Sequence, residues 1–197
     1  MQTVYNWLSH PFLLLITGAI VSTYLIPMLT RRWQDHQKEL ELKINLVEQI
    51  SEIVTKILVS VQFVVVGAKS QSQNDFDTVY REWEIQRSRI SSRLKAYFPR
   101  TTIGSDWDTF SALVTDFYAL AGIPEKDRRN EHLRKIQGYS FFNSVNVDWD
   151  ALMDKGSNLH SPTHWFSLHP LILRQKDELI QSILNSSIWA SKSKFLR

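Results

Sequence analysis

The sequence contains no cysteine, only six glycines, and no Asp, Glu, Lys or Arg before position 31. The lack of cysteine excludes disulfides, thiolate metal sites and cysteine nucleophiles, and it fits a reducing compartment. With so few glycines, a glycine-rich phosphate-binding loop is not expected. None of the patterns G-x-x-x-x-G-K-[ST], G-x-G-x-x-G or G-x-S-x-G occurs. We therefore predict no cofactor and no recognisable catalytic nucleophile.

The uncharged N-terminal stretch contains one long apolar run, Pro11–Leu29 (PFLLLITGAIVSTYLIPML). At helical rise these residues cover roughly 28 Å, which matches the hydrocarbon core of a bilayer. We predict a short non-cytoplasmic tail over 1–10 and one transmembrane helix over 11–29. A cleaved secretory signal is disfavoured, because the ten residues before Pro11 carry no Lys or Arg and Leu29 is soon followed by Arg31 and Arg32.

Four residues mark the predicted membrane interfaces. Trp7 precedes the span, and Arg31, Arg32 and Trp33 follow it. Interfacial aromatics and a Lys/Arg-rich cytoplasmic flank are typical of single-span proteins. The pattern predicts a cell (inner) membrane protein with its N-terminus outside and residues 30–197 in the cytoplasm.

Two details of the span carry structural expectations. Pro27 cannot donate a hydrogen bond to the carbonyl of Thr23, so we expect a modest bend of the helix there. Gly18 and Ser22 form a small-xxx-small pair, a spacing that allows two membrane helices to approach closely.

The remainder of the chain shows helical periodicity and no long strand pattern, which predicts an all-α, up-and-down bundle of about four main helices. The segment 139–170 is the least regular part, with a loop that contains Pro162 and Pro170. The membrane helix is predicted to continue without a break from Leu29 to Gly67 and so to form the first helix of the bundle. The other predicted helices are a second capped by Asn74 and ending near Phe98, a third from Ser105 to Gly122 with Ser105 and Asp108 as its cap, a surface helix or connector over Glu125–Gln137, a short helix over Asp148–Lys155, and a last helix from Leu171 into the 190s.

The first of these helices carries an apolar residue every seven positions, beginning at Trp33 and Leu40, and Ile44 widens the stripe. A parallel coiled coil between subunits and one helix of an intramolecular bundle both fit this pattern. The stripe is wider than a strict coiled-coil seam, which favours the bundle. On the polar faces, Glu39 with Lys43 and Glu52 with Lys56 have the spacing of supportive ion pairs.

Three histidines, His160, His164 and His169, lie within ten residues, and three imidazole groups can bind zinc. Pro162 stands between the first two, and no H-E-x-x-H or Glu-x-x-His pattern occurs on a predicted helix. We read them as ordinary loop histidines and predict no metal site.

The run Leu29–Lys43 (LTRRWQDHQKELELK) resembles the membrane exit of uncharacterised prokaryotic single-span proteins. The resemblance covers about thirty residues around that exit and implies a membrane anchor followed by a helical domain. It implies no activity, substrate or cofactor.

The net charge of +3, with Lys and Arg spread among Asp and Glu, gives no indication of nucleic-acid binding. No small-molecule substrate is evident either. These observations predict a membrane-anchored, non-enzymatic interaction or scaffold protein that contacts the bilayer and either a protein partner or its own copies. The alternative is a small oligomeric membrane effector or pore-forming subunit.

Overall fold

The computed structural model describes residues 11–65, 73–122, 126–140, 142, 147–154 and 162–188, and the regular elements in these ranges are all helical. The prediction of an all-α protein is confirmed. The chain divides between Ile44 and Asn45 into two compact units. The described helices are α1 (Pro11–Ile20), a π-helical turn (Val21–Leu25), α2 (Ile26–Val65), α3 (Gln73–Tyr97), α4 (Ile103–Gly122), α5 (Lys126–Gln137), α6 (Trp149–Asp154) and α7 (Pro162–Asn185).

The first unit contains α1, the π-helical turn and the start of α2, which follow one another without a non-helical residue. The amide of Ile26 donates to the carbonyl of Val21, five residues back. A π-helical turn thus directly precedes Pro27, and such a turn is a common way to absorb an interruption of the α-helical hydrogen-bond ladder. The bend expected at Pro27 stays a prediction. Considered one at a time, none of the helices within the described ranges combines the length and the apolarity that crossing a membrane requires.

The core of the second unit is apolar and draws on six helices. Trp83 of α3 and Trp107 of α4 are completely buried, with ring centroids 6.1 Å apart. Their indole N–H groups donate to Thr115 Oγ1 at 2.9 Å and to the carbonyl of Arg87 at 3.2 Å. Each large aromatic thus has a polar partner, as buried tryptophan requires. Other buried core residues are Ile50, Val54, Ile57, Leu58 and Val61 of α2, Ile90 and Leu94 of α3, Leu113, Val114 and Phe117 of α4, Leu133 and Ile136 of α5, Leu152 of α6, and Leu168, Ile172 and Ile183 of α7.

The apolar stripe of α2 is buried only in part. Its members in the second unit are buried or half-buried, whereas Trp33, Leu40 and Ile44 in the first unit are exposed. The expectation that the whole seven-residue repeat forms one core-facing stripe is therefore wrong for its first half. Periodicity reports which residues share a face, and it does not report what covers that face.

The predicted helix starts of α3 and α4 need correction. Asn74 lies inside α3, which already begins at Gln73. Helix α4 begins at Ile103, so Ser105 and Asp108 do not form its cap. Thr102 stands before the helix instead: its hydroxyl donates to Asp106 Oδ2 at 2.8 Å, and its carbonyl accepts from the Asp106 amide at 2.8 Å.

The predicted loop with two prolines is also wrong at its C-terminal end, because Pro162 begins α7 and Pro170 lies inside it. Proline is well suited to the first helical position, where its missing N–H is not needed. Inside the helix it removes a hydrogen bond. Leu168 and Ile172, on either side of Pro170, are fully buried, and this packing outweighs the local cost. The helix ends at Asn185, short of the 190s.

The charged segment before Gly138, predicted to be a surface helix or a connector, forms helix α5. Leu133 and Ile136 are its buried apolar contacts, and Arg129 is buried beside them. Burial lowers the pKa of the Arg129 guanidinium. The short helix predicted around Trp149 is confirmed as α6, with Leu152 buried.

Candidate functional site

The predicted membrane-interface residues on α2 lie together at the surface of the first unit. Arg31 and Arg32 line a depression of about 670 Å³ with apolar neighbours that include Tyr24 and Met28. Trp33 is 61% exposed. Trp7, the fourth predicted interface residue, lies outside the described residues. The three described residues thus form an exposed, basic and aromatic girdle directly after the apolar run.

Polar side chains within the apolar run bond to their own helix. Thr17 donates to the carbonyl of Leu13, and Ser22 donates to the carbonyl of Ala19 at 3.1 Å. Hydroxyl groups that are satisfied in this way tolerate an apolar environment, because they need no water.

The surface around these hydroxyl groups is apolar and open. Leu15, Ile20, Val21 and Leu29 are exposed, and a Cβ added at Gly18 would meet nothing within 4 Å. The described part of this stretch contains no charged side chain before Arg31. Exposed apolar surface of this extent is unusual for a protein face in contact with water.

A second exposed apolar feature lies farther along α2. Trp33, Leu40 and Ile44 are exposed, and their spacings of seven and four residues place them on one face of the helix. On a neighbouring face, Lys43 Nζ and Glu39 Oε1 form the predicted ion pair at 3.0 Å. We call the set Trp33, Leu40 and Ile44 the exposed stripe.

The second unit contains a polar cluster around Asp116 of α4. Its Oδ2 accepts a hydrogen bond of 2.9 Å from the Tyr139 hydroxyl, and its Oδ1 lies 3.5 Å from Nδ1 of His132 on α5. Burial raises the pKa of Tyr139, and the hydrogen bond to Asp116 adds to this effect, so the phenol stays a neutral donor. The Asp116 carboxylate of α4 thus contacts His132 of α5 and Tyr139 in the segment after α5.

Two of the three histidines considered as zinc ligands lie on α7. His164 and His169 are five residues apart on this helix, about 140° around its axis. His160 lies outside the described residues. Burial lowers the pKa of the His169 imidazole. In the part of the chain that the structure describes, no group of three or more His, Cys, Asp or Glu residues could hold a metal ion.

A polar cleft of about 240 Å³ lies between α2 and α3 in the second unit. Lys56 of α2 forms an ion pair with Glu82 of α3, so the predicted pairing of Glu52 with Lys56 is wrong. The side chain that faces Lys56 belongs to another helix, and spacing along one helix cannot reveal it. Sequence reasoning missed this cleft, although Arg89 and Arg93 have the spacing that puts two guanidinium groups on one side of α3.

The described side chains thus give two features with functional potential: the apolar segment with its basic girdle, and the cleft between α2 and α3. The likeness of Leu29–Lys43 to prokaryotic single-span proteins stays a prediction. Comparison of the chain with protein-family models, with curated proteins and with solved structures found no match.

Proposed function

We propose that the chain is a single-pass membrane protein whose segment Pro11–Leu29 spans the bilayer and whose helical bundle serves, without enzymatic activity, as an interaction or scaffold module in the cytoplasm. The observation that carries the proposal is the apolar, exposed and uncharged surface of this segment. Because α1, the π-helical turn and the first turn of α2 are consecutive, backbone hydrogen bonding continues along the segment, as a bilayer requires.

Arginine at the centre of the segment tests the anchor. Ile20 is 52% exposed, and Ile85 on α3 is 54% exposed, which makes Ile85 a matched control. We expect Ile20→Arg to release part of the protein from carbonate-washed membranes, since arginine at the centre of a span costs about 2.5–3.5 kcal/mol of insertion free energy. Ile85→Arg should leave membrane association unchanged. Equal extraction of both variants would contradict the anchor.

The exposed stripe supports the interaction role. Apolar side chains on one helix face, in a protein confined to a membrane plane, favour contact with another helix, because confinement raises the effective concentration of partners. We infer that the stripe contacts a helix of a second copy or of another protein. The segment Pro11–Leu29 contains no charged side chain, so its residues do not favour the alternative of a pore-forming subunit.

Lysine within the stripe tests this contact. Leu40 is 41% exposed and Val59, on the same helix but outside the stripe, is 40% exposed. If copies associate, the mass of the detergent-solubilised full chain should fall from oligomer to monomer with Leu40→Lys and stay unchanged with Val59→Lys. If a different protein binds, the wild-type chain will be monomeric in detergent. A cysteine placed at position 40 should then form a cross-linked product in membranes. A cysteine placed next to position 40 should form the product as well, and the yield should fall when Leu40→Lys is also present. A monomeric chain with no cross-linked product would overturn the interaction role.

A further inference from the structure

We propose that the cleft between α2 and α3 binds the phosphate group of a small phosphate monoester. The cleft contains three cationic side chains, Lys56, Arg89 and Arg93, and two carboxylates, Glu52 and Glu82. Its lining therefore has an excess of one positive charge. The proposal concerns the second unit alone and stands independently of the membrane anchor.

The cations differ in how far their charge is already neutralised. Lys56 is paired with Glu82 across the cleft. Arg93 donates from Nη1 to the neutral oxygen Oε1 of Gln49 at 2.7 Å, so this contact leaves its charge uncompensated. Arg89 is exposed and forms no ion pair within the described ranges. Two guanidinium groups are therefore available for an anion.

The spacing of these two arginines strengthens the case. Arg89 and Arg93 are four residues apart on α3, where like charges repel and destabilise a helix. An oxyanion between them would remove this repulsion. Guanidinium groups present planar pairs of N–H donors that fit the oxygen atoms of phosphate, and both arginines line the cleft.

Side chains of α2 orient Arg93 in the cleft. The Gln49 amide nitrogen donates to Asn45 Oδ1, while its oxygen accepts from Arg93. Gln49 is thereby held from both sides and positions the guanidinium. A donor that is already oriented loses less conformational entropy when it binds an anion.

The remaining lining residues narrow the class of ligand. Glu52 and Gln86 also line the cleft, and a carboxylate oxygen accepts hydrogen bonds. A phosphate monoester that carries hydroxyl groups can place its phosphate at the arginines and donate a hydrogen bond from a hydroxyl group to Glu52. Buried Ile53 adds an apolar wall.

Calorimetric titration of the full chain in a neutral detergent tests the site, with inorganic phosphate and glycerol phosphate as probes and chloride at equal ionic strength as reference. We expect saturable binding of phosphate, and tighter binding of glycerol phosphate. Arg89→Gln and Arg93→Gln should each weaken binding about tenfold or more, since each removes a charge-assisted hydrogen bond. Arg81→Gln is the matched control, because Arg81 is an exposed arginine of α3 that does not line the cleft.

The source of the phosphate is distinguished by a second arm with vesicles of phosphatidylcholine with and without phosphatidic acid. Saturable binding of the free probes supports a soluble ligand. Binding only to vesicles with phosphatidic acid, lost in Arg89→Gln, supports a lipid headgroup. Binding weaker than about 10 mM in both arms, or affinity that Arg81→Gln reduces as much as Arg89→Gln does, would overturn the site.

Discussion

The buried indole of Trp83 donates its hydrogen bond to Thr115. Thr115 Oγ1 accepts this bond and donates to the carbonyl of Ser111 at 2.9 Å. Thr115→Val keeps the shape of the side chain but leaves the buried indole N–H without an acceptor. We expect the free energy of unfolding to fall by about 1–3 kcal/mol, measured by denaturant titration of the full chain in mild detergent.

Thr109 of the same helix is the control for this substitution. Its hydroxyl is exposed and bonds only to the carbonyl of Ser105, at 3.0 Å. Thr109→Val should change the free energy of unfolding by less than about 0.5 kcal/mol. Equal losses for Thr115→Val and Thr109→Val would show that the bond to Trp83 contributes nothing specific.

Asp108 gives a prediction about pH. Partial burial raises the pKa of its carboxyl group, but hydrogen bonds from Lys95 Nζ and Ser91 Oγ, both at 2.7 Å, and the positive charge of Lys95 outweigh this effect and lower the pKa below its ordinary value of 3.8. A lowered pKa in the folded state means that the contribution to stability is complete above the ordinary pKa and disappears as the pH falls through the folded value.

We therefore expect Asp108→Asn to reduce the free energy of unfolding near neutral pH by about 0.2–1 kcal/mol, the range for partly exposed pairs. The difference from the wild type should begin to shrink as the pH falls below about 4. Denaturant titrations between neutral pH and pH 3 measure it. Glu48→Gln, which changes an exposed carboxylate of α2, should show no such pH-dependent difference. A difference for Asp108→Asn that does not decrease at all between neutral pH and pH 3 would contradict this assignment.

At the scale of the helices, Pro170 gives the clearest prediction. It lies in the interior of α7 with its ring exposed, and it cannot donate to the carbonyl of residue 166. Pro170→Ala restores this donor and removes the clash of the ring with that carbonyl. We expect the free energy of unfolding to rise by about 1–3 kcal/mol.

Gln181→Ala, at an exposed position of the same helix, controls for the gain that alanine gives to any helix and should raise stability by less than about 0.5 kcal/mol. A loss of stability in Pro170→Ala would mean that packing of the pyrrolidine ring outweighs the missing hydrogen bond. Denaturant titration of both variants decides between these results.

The helices show how far the sequence reveals the fold and where it stops. Apolar periodicity located α3, α4 and α6 to within a few residues, because each has a buried face along most of its length. It misplaced the start of α7, because Pro170 argues for a loop and only tertiary packing of Leu168 and Ile172 overrides it. Local rules also suggested a cap at Ser105, although the helix begins two residues earlier, at Ile103.

The candidate cleft was harder to foresee than the helices. An i,i+4 rule pairs Glu52 with Lys56, but the partner of Lys56 is Glu82 on another helix. Contacts between helices depend on which faces meet, and one sequence does not fix these faces. The basic girdle, in contrast, was visible at once, since Arg31, Arg32 and Trp33 follow the apolar run directly.

At the scale of the whole molecule, the lack of cysteine makes the proposed orientation directly measurable. A single cysteine at position 2 or at exposed position 48 reacts with a membrane-impermeant maleimide only when it faces the outside. In intact bacterial cells we expect labelling at position 2 and none at position 48, because the Lys and Arg residues after the span favour the cytoplasm. In permeabilised cells both positions should be labelled.

The arginine pair should control this orientation. Replacing Arg31 and Arg32 together with Gln leaves Lys38 and Lys43 as the nearest basic residues after the apolar run. The weaker charge asymmetry should produce a mixed population, in which part of the protein becomes labelled at position 48 in intact cells. The same double replacement at Arg89 and Arg93, far from the span in sequence, should leave the labelling pattern of the wild type. Strong labelling at position 48 in the wild-type chain would reverse the proposed topology, and an unchanged pattern after loss of Arg31 and Arg32 would assign the orientation to other residues.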